Sequence, residues 1–150
     1  MPVSRDEARE LRSGAALSRR PGCAATPALQ AALGGDTSLD EAEFAALSLA
    51  GVLALGIGAD ALRLVLAVEV EPAQVEDAQS DHGEVIVTGL HWPQVQALFG
   101  DEPAAAPAVA RARAATGGQS LAAALEAPEV DALDAFDLLW YATEELDQLP

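Results

Sequence analysis

Residues 38–70 read SLDEAEFAALSLAGVLALGIGADALRLVLAVEV, and this stretch predicts a long apolar helix followed by a buried strand. Ser38 and Glu41 have the spacing of a capping box, which places the start of the helix at Ser38. Beyond Phe44 the sequence is apolar on most sides of the predicted helix, a pattern that is typical of a buried helix. Gly56 ends it.

The strand is predicted from the branched run at residues 62–70, which is followed by Pro72. Such a run, bounded by turn residues, favours a central strand. Because side chains alternate across a strand, its apolar residues divide between two faces. We expect Leu64, Leu66 and Val68 on one face, and Val65 and Ala67 on the other.

The remaining strand-like runs are few, short and unevenly spaced, without the alternating rhythm of a doubly wound fold. The fold class predicted is therefore α+β: a small, mostly antiparallel sheet packed on one side by the Ser38–Gly56 helix and an alanine-rich helix. We also predict a turn at 18–22, an irregular segment at 71–83 and helices at 5–16, 27–33, 108–115 and 120–127, while 96–99 is ambiguous between helix and strand.

The charge of the chain is divided unevenly along its 150 residues, which we expect to form a single globular domain. Residues 1–20, a basic N-terminal helix or arm, carry five arginines against three acids, a charge of +2. Residues 21–150, the acidic body, carry three arginines against 21 acids, a charge of −18. Such a body repels nucleic acid and anionic membranes, so any charged partner is expected to be a basic protein. A surface that is acidic for solubility alone is the alternative.

The cellular compartment is predicted from the single cysteine and from hydropathy. Cys23 has no second cysteine with which to form an internal disulfide, which indicates a reducing environment. We identify no signal peptide in the first thirty residues, and the apolar run at 45–57 is too short to span a bilayer. The expected location is the cytoplasm.

The most suggestive polar cluster is Asp81, His82 and Glu84, to which His91 can be added as candidate metal ligands. Zinc sites built from local sequence show regularly spaced His and Cys, and this cluster does not, so an exposed turn is the favoured interpretation. The sequence has no Gly-x-Ser-x-Gly motif and no glycine-rich phosphate loop. We therefore predict no catalytic residues and no cofactor.

Aromatic side chains concentrate binding energy at protein interfaces, which makes Trp140 and Tyr141 the candidate recognition residues. Asp131, Asp134 and Asp137 precede them and form an acidic approach. We predict a non-enzymatic interaction or regulatory module that binds a basic protein partner. The alternative is an enzyme with a cryptic site, a metal-assisted hydrolase that uses the polar cluster described above.

Several short segments, taken in order, carry a resemblance: GCAATPAL at 22–29, the acidic start of the helix at Asp40, AVEV at 67–70, WPQV at 92–95 and LWYA at 139–142. The chain resembles an uncharacterised family of short acidic actinobacterial proteins labelled as a domain of unknown function. This resemblance implies a compact α+β domain and supplies no activity. It also implies a short first strand, for which Met1–Val3 leaves little room; if that strand is needed, one sheet edge is left unpaired.

Overall fold

The computed structural model describes residues 1–58 and 60–150. Six α-helices lie in these ranges: α1 (Arg5–Arg12), α2 (Pro27–Leu33), α3 (Leu39–Leu53), α4 (Ala106–Thr116), α5 (Leu121–Ala124) and α6 (Pro128–Asp131). The described strands are β1 (Leu17–Cys23), β2 (Leu64–Val68), β3 (Val75–Asp77), β4 (Glu84–Leu90), β5 (Val95–Gly100) and β6 (Leu139–Tyr141). Short 3₁₀ turns connect several of them.

The strands form two antiparallel three-stranded sheets, with the orders β1-β4-β3 and β2-β5-β6. The predicted α+β class with antiparallel pairing is thus confirmed, and the structure adds that the strands are divided between two sheets. Helix α3 packs against both sheets through β1 and β2. The alanine-rich helix α4 packs mainly against the 3₁₀ turn Ala54–Gly56, which follows α3, and against the short helices α5 and α6.

The first three residues of the chain lie along β2. The amide of Val3 donates to the carbonyl of Leu64 at 3.1 Å, and the amide of Leu66 donates to the carbonyl of Met1 at 2.8 Å. Pro2 forms an antiparallel bridge with Val65 between these bonds. These contacts cover the edge of β2 from Leu64 to Leu66, so the expected unpaired edge is not found in this part of the strand.

The helix starts follow the local capping signals. The hydroxyl of Ser38 accepts from the amide of Glu41 at 3.3 Å, and the Glu41 carboxylate accepts from the amide of Ser38 at 2.9 Å. Ser4 and Glu7 make the same reciprocal pair before α1. Each capping box satisfies donors that the first helical turn leaves without partners.

The orientation of α3 differs from the expected one. The helix buries its small residues, among them Ala42, Ala46 and Ala50, against the sheets. Its larger side chains at Leu39 and Phe44 are 58% and 67% exposed. The prediction of a helix buried on most sides is thus wrong for this end of α3, because the sheets cover only its narrow alanine face.

Two main groups of buried side chains stabilise the fold. The larger lies between α1, the strands and the C-terminal segment, and includes Leu11, Leu66, Leu90, Leu98 and Leu146. Leu64 and Val68 join this group, whereas Val65 packs with the alanines of α3, so the predicted division of β2 into two faces is confirmed. The second group lies around α4 and contains Leu55, Val109, Ala112, Val130 and Leu133.

The predicted turn at 18–22 is wrong, because these residues belong to β1. Arg20 is opposite Val87 and Pro21 is opposite Ile86 in the pairing with β4. Proline is tolerated here since β1 is an edge strand. Pairing with β4 thus outweighs the preference of these residues for a turn. In the same way, residues 75–77 of the segment predicted as irregular form β3, and the ambiguous residues 96–99 lie in β5.

Candidate functional site

A cavity of about 630 Å³ lies between α3 and the two sheets. Its lining is mostly aliphatic: Ala46 and Ala50 come from α3, Val65 from β2 and Val87 from β4. Because α3 presents alanines on this side, its side chains leave part of the space between the helix and the strands unfilled. Volumes of roughly 300–1,000 Å³ with an apolar lining are typical of ligand-binding sites.

The opening of the cavity is charged. Asp40 and Glu43 line it, and both are exposed on the first half of α3. Among the described residues neither carboxylate has a side-chain hydrogen bond or ion pair, in contrast to Glu41, which is held by Ser38. Phe44, on the same side of the helix, also lines the cavity. The entrance thus combines an exposed aromatic ring with two carboxylates.

Two groups of chemical interest lie deeper in the cavity. The thiol of Cys23 has its pKa raised to about 12, chiefly because burial disfavours the thiolate. The backbone amine of Met1 donates to the carbonyl of Leu66 at 2.8 Å, and burial lowers the pKa of this amine to about 5. Both groups are therefore uncharged at neutral pH, in keeping with their apolar surroundings.

We expect Cys23 to react with iodoacetamide at pH 8 about three orders of magnitude more slowly than an ordinary thiol, because only the thiolate attacks. The rate can be followed by mass spectrometry of the native protein. The same chain unfolded in urea is the control and should react at the ordinary rate. A native rate within tenfold of the unfolded one contradicts this prediction.

Trp140 extends the apolar surface beyond the cavity. In the second sheet Val65 is opposite Phe99, and Phe99 is opposite Trp140, so these three side chains share one face. The first two line the cavity, as does Leu138 two residues before the tryptophan. Trp140 itself is 61% exposed. An exposed tryptophan that continues a row of apolar side chains is typical of a binding surface.

The other predicted recognition residues are placed in two different environments. Asp131, Asp134 and Asp137 are all exposed, on α6, on the 3₁₀ turn after it and just before β6. Tyr141 is half-buried and packs against the larger core. Neighbouring strand residues point to opposite faces, so the structure does not bring Tyr141 onto the surface of Trp140.

The polar cluster lies at the start of β4: Asp81 and His82 are in the preceding turn, and Glu84 is the first residue of the strand. The carboxylate of Glu84 accepts from the hydroxyl of Ser80 at 2.8 Å, and the same hydroxyl accepts from the amide of His82 at 3.1 Å. Within residues 1–58 and 60–150 no group of three or more His, Cys, Asp or Glu side chains is arranged to hold a metal ion. These contacts give Ser80 and Glu84 a role in shaping the turn.

A buried ion pair that the sequence did not indicate joins the ends of two strands. Arg63 precedes β2 and Asp101 follows β5, and both are buried. The Arg63 guanidinium donates to both carboxylate oxygens, with Nη2 2.7 Å from Oδ1 and Nε 3.0 Å from Oδ2. The backbone amide of Arg63 also donates to Oδ2 at 2.7 Å. All these bonds satisfy a buried charge, which marks the pair as structural.

Most of the arginines predicted to form a basic arm are held within the fold. Arg12 forms an ion pair with Asp147 at 2.7 Å, Arg19 pairs with Glu76 at 3.1 Å and Arg20 pairs with Glu7. Arg5 donates to the carbonyl of Leu149 at 3.1 Å. The basic N-terminal segment is thus tied to neighbouring parts of the molecule. Among the ion pairs of the described residues, none involves an acid between Glu129 and Glu145.

Comparisons with known proteins identify the family of the chain but do not indicate an activity. Among the described residues no helix combines the length and the apolar character that crossing a membrane requires. No curated protein and no solved structure matches the chain. A family model described as a family of unknown function (DUF6912) matches residues 1–149. The protein therefore belongs to this family of unknown function.

Proposed function

We propose that the protein is a non-enzymatic interaction module that docks a basic protein partner on the surface formed by Trp140 and the three aspartates Asp131, Asp134 and Asp137, here called the acidic surface. The observation that carries this proposal is the 61% exposure of Trp140 on the sheet face that continues the cavity lining. An exposed tryptophan anchor that follows three exposed carboxylates in the chain fits an apolar side chain flanked by lysine or arginine.

The distribution of charge supports the same proposal. Arginines of the N-terminal segment are engaged with Glu7, Glu76 and Asp147, which removes them as competitors for the exposed acids. With a formal charge of −16, the chain attracts basic partners over a Debye length of about 10 Å at 0.1 M salt. We propose that this encounter takes place in the cytoplasm, in agreement with the free thiol of Cys23.

Replacing Asp131, Asp134 and Asp137 together by Asn is expected to slow association with the partner about tenfold at 0.1 M salt and to flatten its salt dependence. The partner is first captured from native lysate at low salt, identified and purified. Its association rate is then measured by stopped-flow fluorescence between 0.05 and 1 M salt, where the Debye length falls to about 3 Å. Trp140→Ala should instead raise the dissociation rate, because an apolar anchor acts after encounter.

The matched control is a second triple variant with Asp36→Asn, Glu69→Gln and Asp81→Asn. These three side chains are exposed in other parts of the molecule, and the change in net charge is the same. Equal slowing in both triple variants would show that overall charge, rather than the acidic surface, attracts the partner. An unchanged rate and salt slope in the first triple variant would refute docking on this surface.

A further inference from the structure

The cavity under α3 differs from the acidic surface in being a concave, mostly aliphatic space of ligand size. We propose that it binds a small amphiphile, one unbranched alkyl chain with a cationic amine head. The volume of about 630 Å³ is large enough for such a molecule. The residues that line the cavity favour an alkyl chain with a cationic head. This binding activity is independent of the partner proposed above.

The inner part of the cavity suits an alkyl chain. Ala46, Ala50 and Val65 are buried there, and the neighbouring groups of Cys23 and Met1 are uncharged at neutral pH. An alkyl chain requires no hydrogen-bond partner and gains roughly 0.8 kcal/mol per buried CH₂ group. A polar ligand would find few hydrogen-bond donors or acceptors in this part.

The entrance determines the charge of the head group. Asp40 and Glu43 are the charged side chains of the lining, and no arginine or histidine lines the cavity among the described residues. Two carboxylates outweigh the partial positive charge at the start of α3, which is equivalent to about half an elementary charge. An amine head is therefore attracted to the entrance, whereas a carboxylate head is repelled.

The direction of the ligand follows from the helix. Residues 40, 43, 47 and 50 recur every three or four positions and so lie along one side of α3. The first two are exposed and the last is buried. With a rise of 1.5 Å per residue, the distance from Asp40 to Ala50 is about 15 Å. The cavity thus runs from a charged entrance to a buried apolar end. This arrangement matches a single-chain amine, which has a charged head and an apolar tail.

The proposal is tested by isothermal titration of the full chain with dodecylamine, below its critical micelle concentration, at pH 7 and 0.1 M salt. Dodecanol and dodecanoate carry the same chain with a neutral and an anionic head, and ethylamine carries the head without the chain. We expect one dodecylamine per protein, weaker binding of dodecanol, weaker still of dodecanoate, and no measurable binding of ethylamine. Dodecanoate binding as tightly as dodecylamine would overturn the proposal.

Two variants separate the roles of the head and the chain. In Asp40→Asn with Glu43→Gln, dodecylamine should bind about five- to tenfold more weakly, to the level of dodecanol, while dodecanol is unaffected. The triple variant of the acidic surface is the matched control and should keep the wild-type affinity. In Ala67→Phe, whose ring occupies space in the cavity, the binding of both ligands should be lost.

Amide chemical shifts of the unaltered protein locate the ligand without any variant. Dodecylamine should move the signals of Ala46 and Ala50 and leave those of Asp131 and Asp134 in place. This measurement remains decisive if Ala67→Phe fails to fold. Shifts confined to the exposed acids, or equal weakening by the control triple variant, would show that a cationic detergent adheres to an acidic surface, and the proposal would then be wrong.

Discussion

Asparagine in place of Asp101 is expected to lower the free energy of unfolding by about 3–5 kcal/mol, because it leaves the Arg63 guanidinium charged, buried and without its carboxylate. The side chain of Asp101 is 1% exposed and that of Arg63 is also buried, so water cannot replace the lost partner. Asparagine keeps the shape of the aspartate and can still accept the bond from the Arg63 backbone amide. Urea denaturation followed by circular dichroism measures the change.

The double variant Arg63→Met with Asp101→Asn distinguishes a lost interaction from a general intolerance of change. Removing both charges should cost clearly less than the sum of the two single variants, since neither partner is then left alone. Glu76→Gln, which breaks the exposed pair with Arg19, is the surface control and should change stability by about 0.5 kcal/mol or less. A loss below about 1 kcal/mol in Asp101→Asn would contradict this account.

Leu66→Asp is expected to unfold the domain at room temperature, since it places an unpaired charge where the side chain is 0% exposed. Leu66 packs in the larger core with Leu11 and Leu98, and none of these residues can pair with a carboxylate. The cost of several kcal/mol is comparable to the whole stability of a domain of this size. Thermal melting followed by circular dichroism reports the loss.

The matched control is Leu39→Asp, the same substitution at the first turn of α3, where the side chain is 58% exposed. An acid is favourable at a helix start, so its melting temperature should stay close to that of the unaltered chain. A normal melting transition for Leu66→Asp would mean that β2 is not central to the core.

Features that depend on near neighbours in sequence were predicted well. The capping box predicted at Ser38 acts on an amide three residues further on, so the signal lies within one turn. The two faces of β2 follow from alternation in a single run. The end of α4 at Gly117 also follows a local rule.

Features that depend on distant partners could not be predicted from one sequence. Strand β1 contains the turn-forming residues Ser18, Pro21 and Gly22, and it is a strand because the distant strand β4 pairs with it. Asp101 follows a strand and lies two residues before Pro103, as expected of a loop acid, and only the fold brings it to Arg63. The local sequence around a carboxylate does not show which distant basic side chain will form an ion pair with it.

The candidate site was predicted only in part. Trp140 was singled out for its chemistry, and the structure places it on an exposed face. The cavity was not predicted from the sequence. The apolar composition of α3 predicts that the helix is buried, but it does not show which side of the helix faces the sheets. The signal available was the difference in size between the alanines at 42, 46 and 50 and the larger residues at 39 and 44. Small residues that recur every four positions lie on one side of a helix, and this side can approach a neighbouring helix or strand most closely.

The separation of the two cores has a consequence for local opening. The group around α4 includes no strand residue among its buried members, and its helices α5 and α6 have only four residues each. Short helices with few cross-connections are the parts that open before global unfolding. We therefore expect the α4 region to lose and regain its structure while the paired strands keep their amides protected, as a separate cooperative unit within one chain.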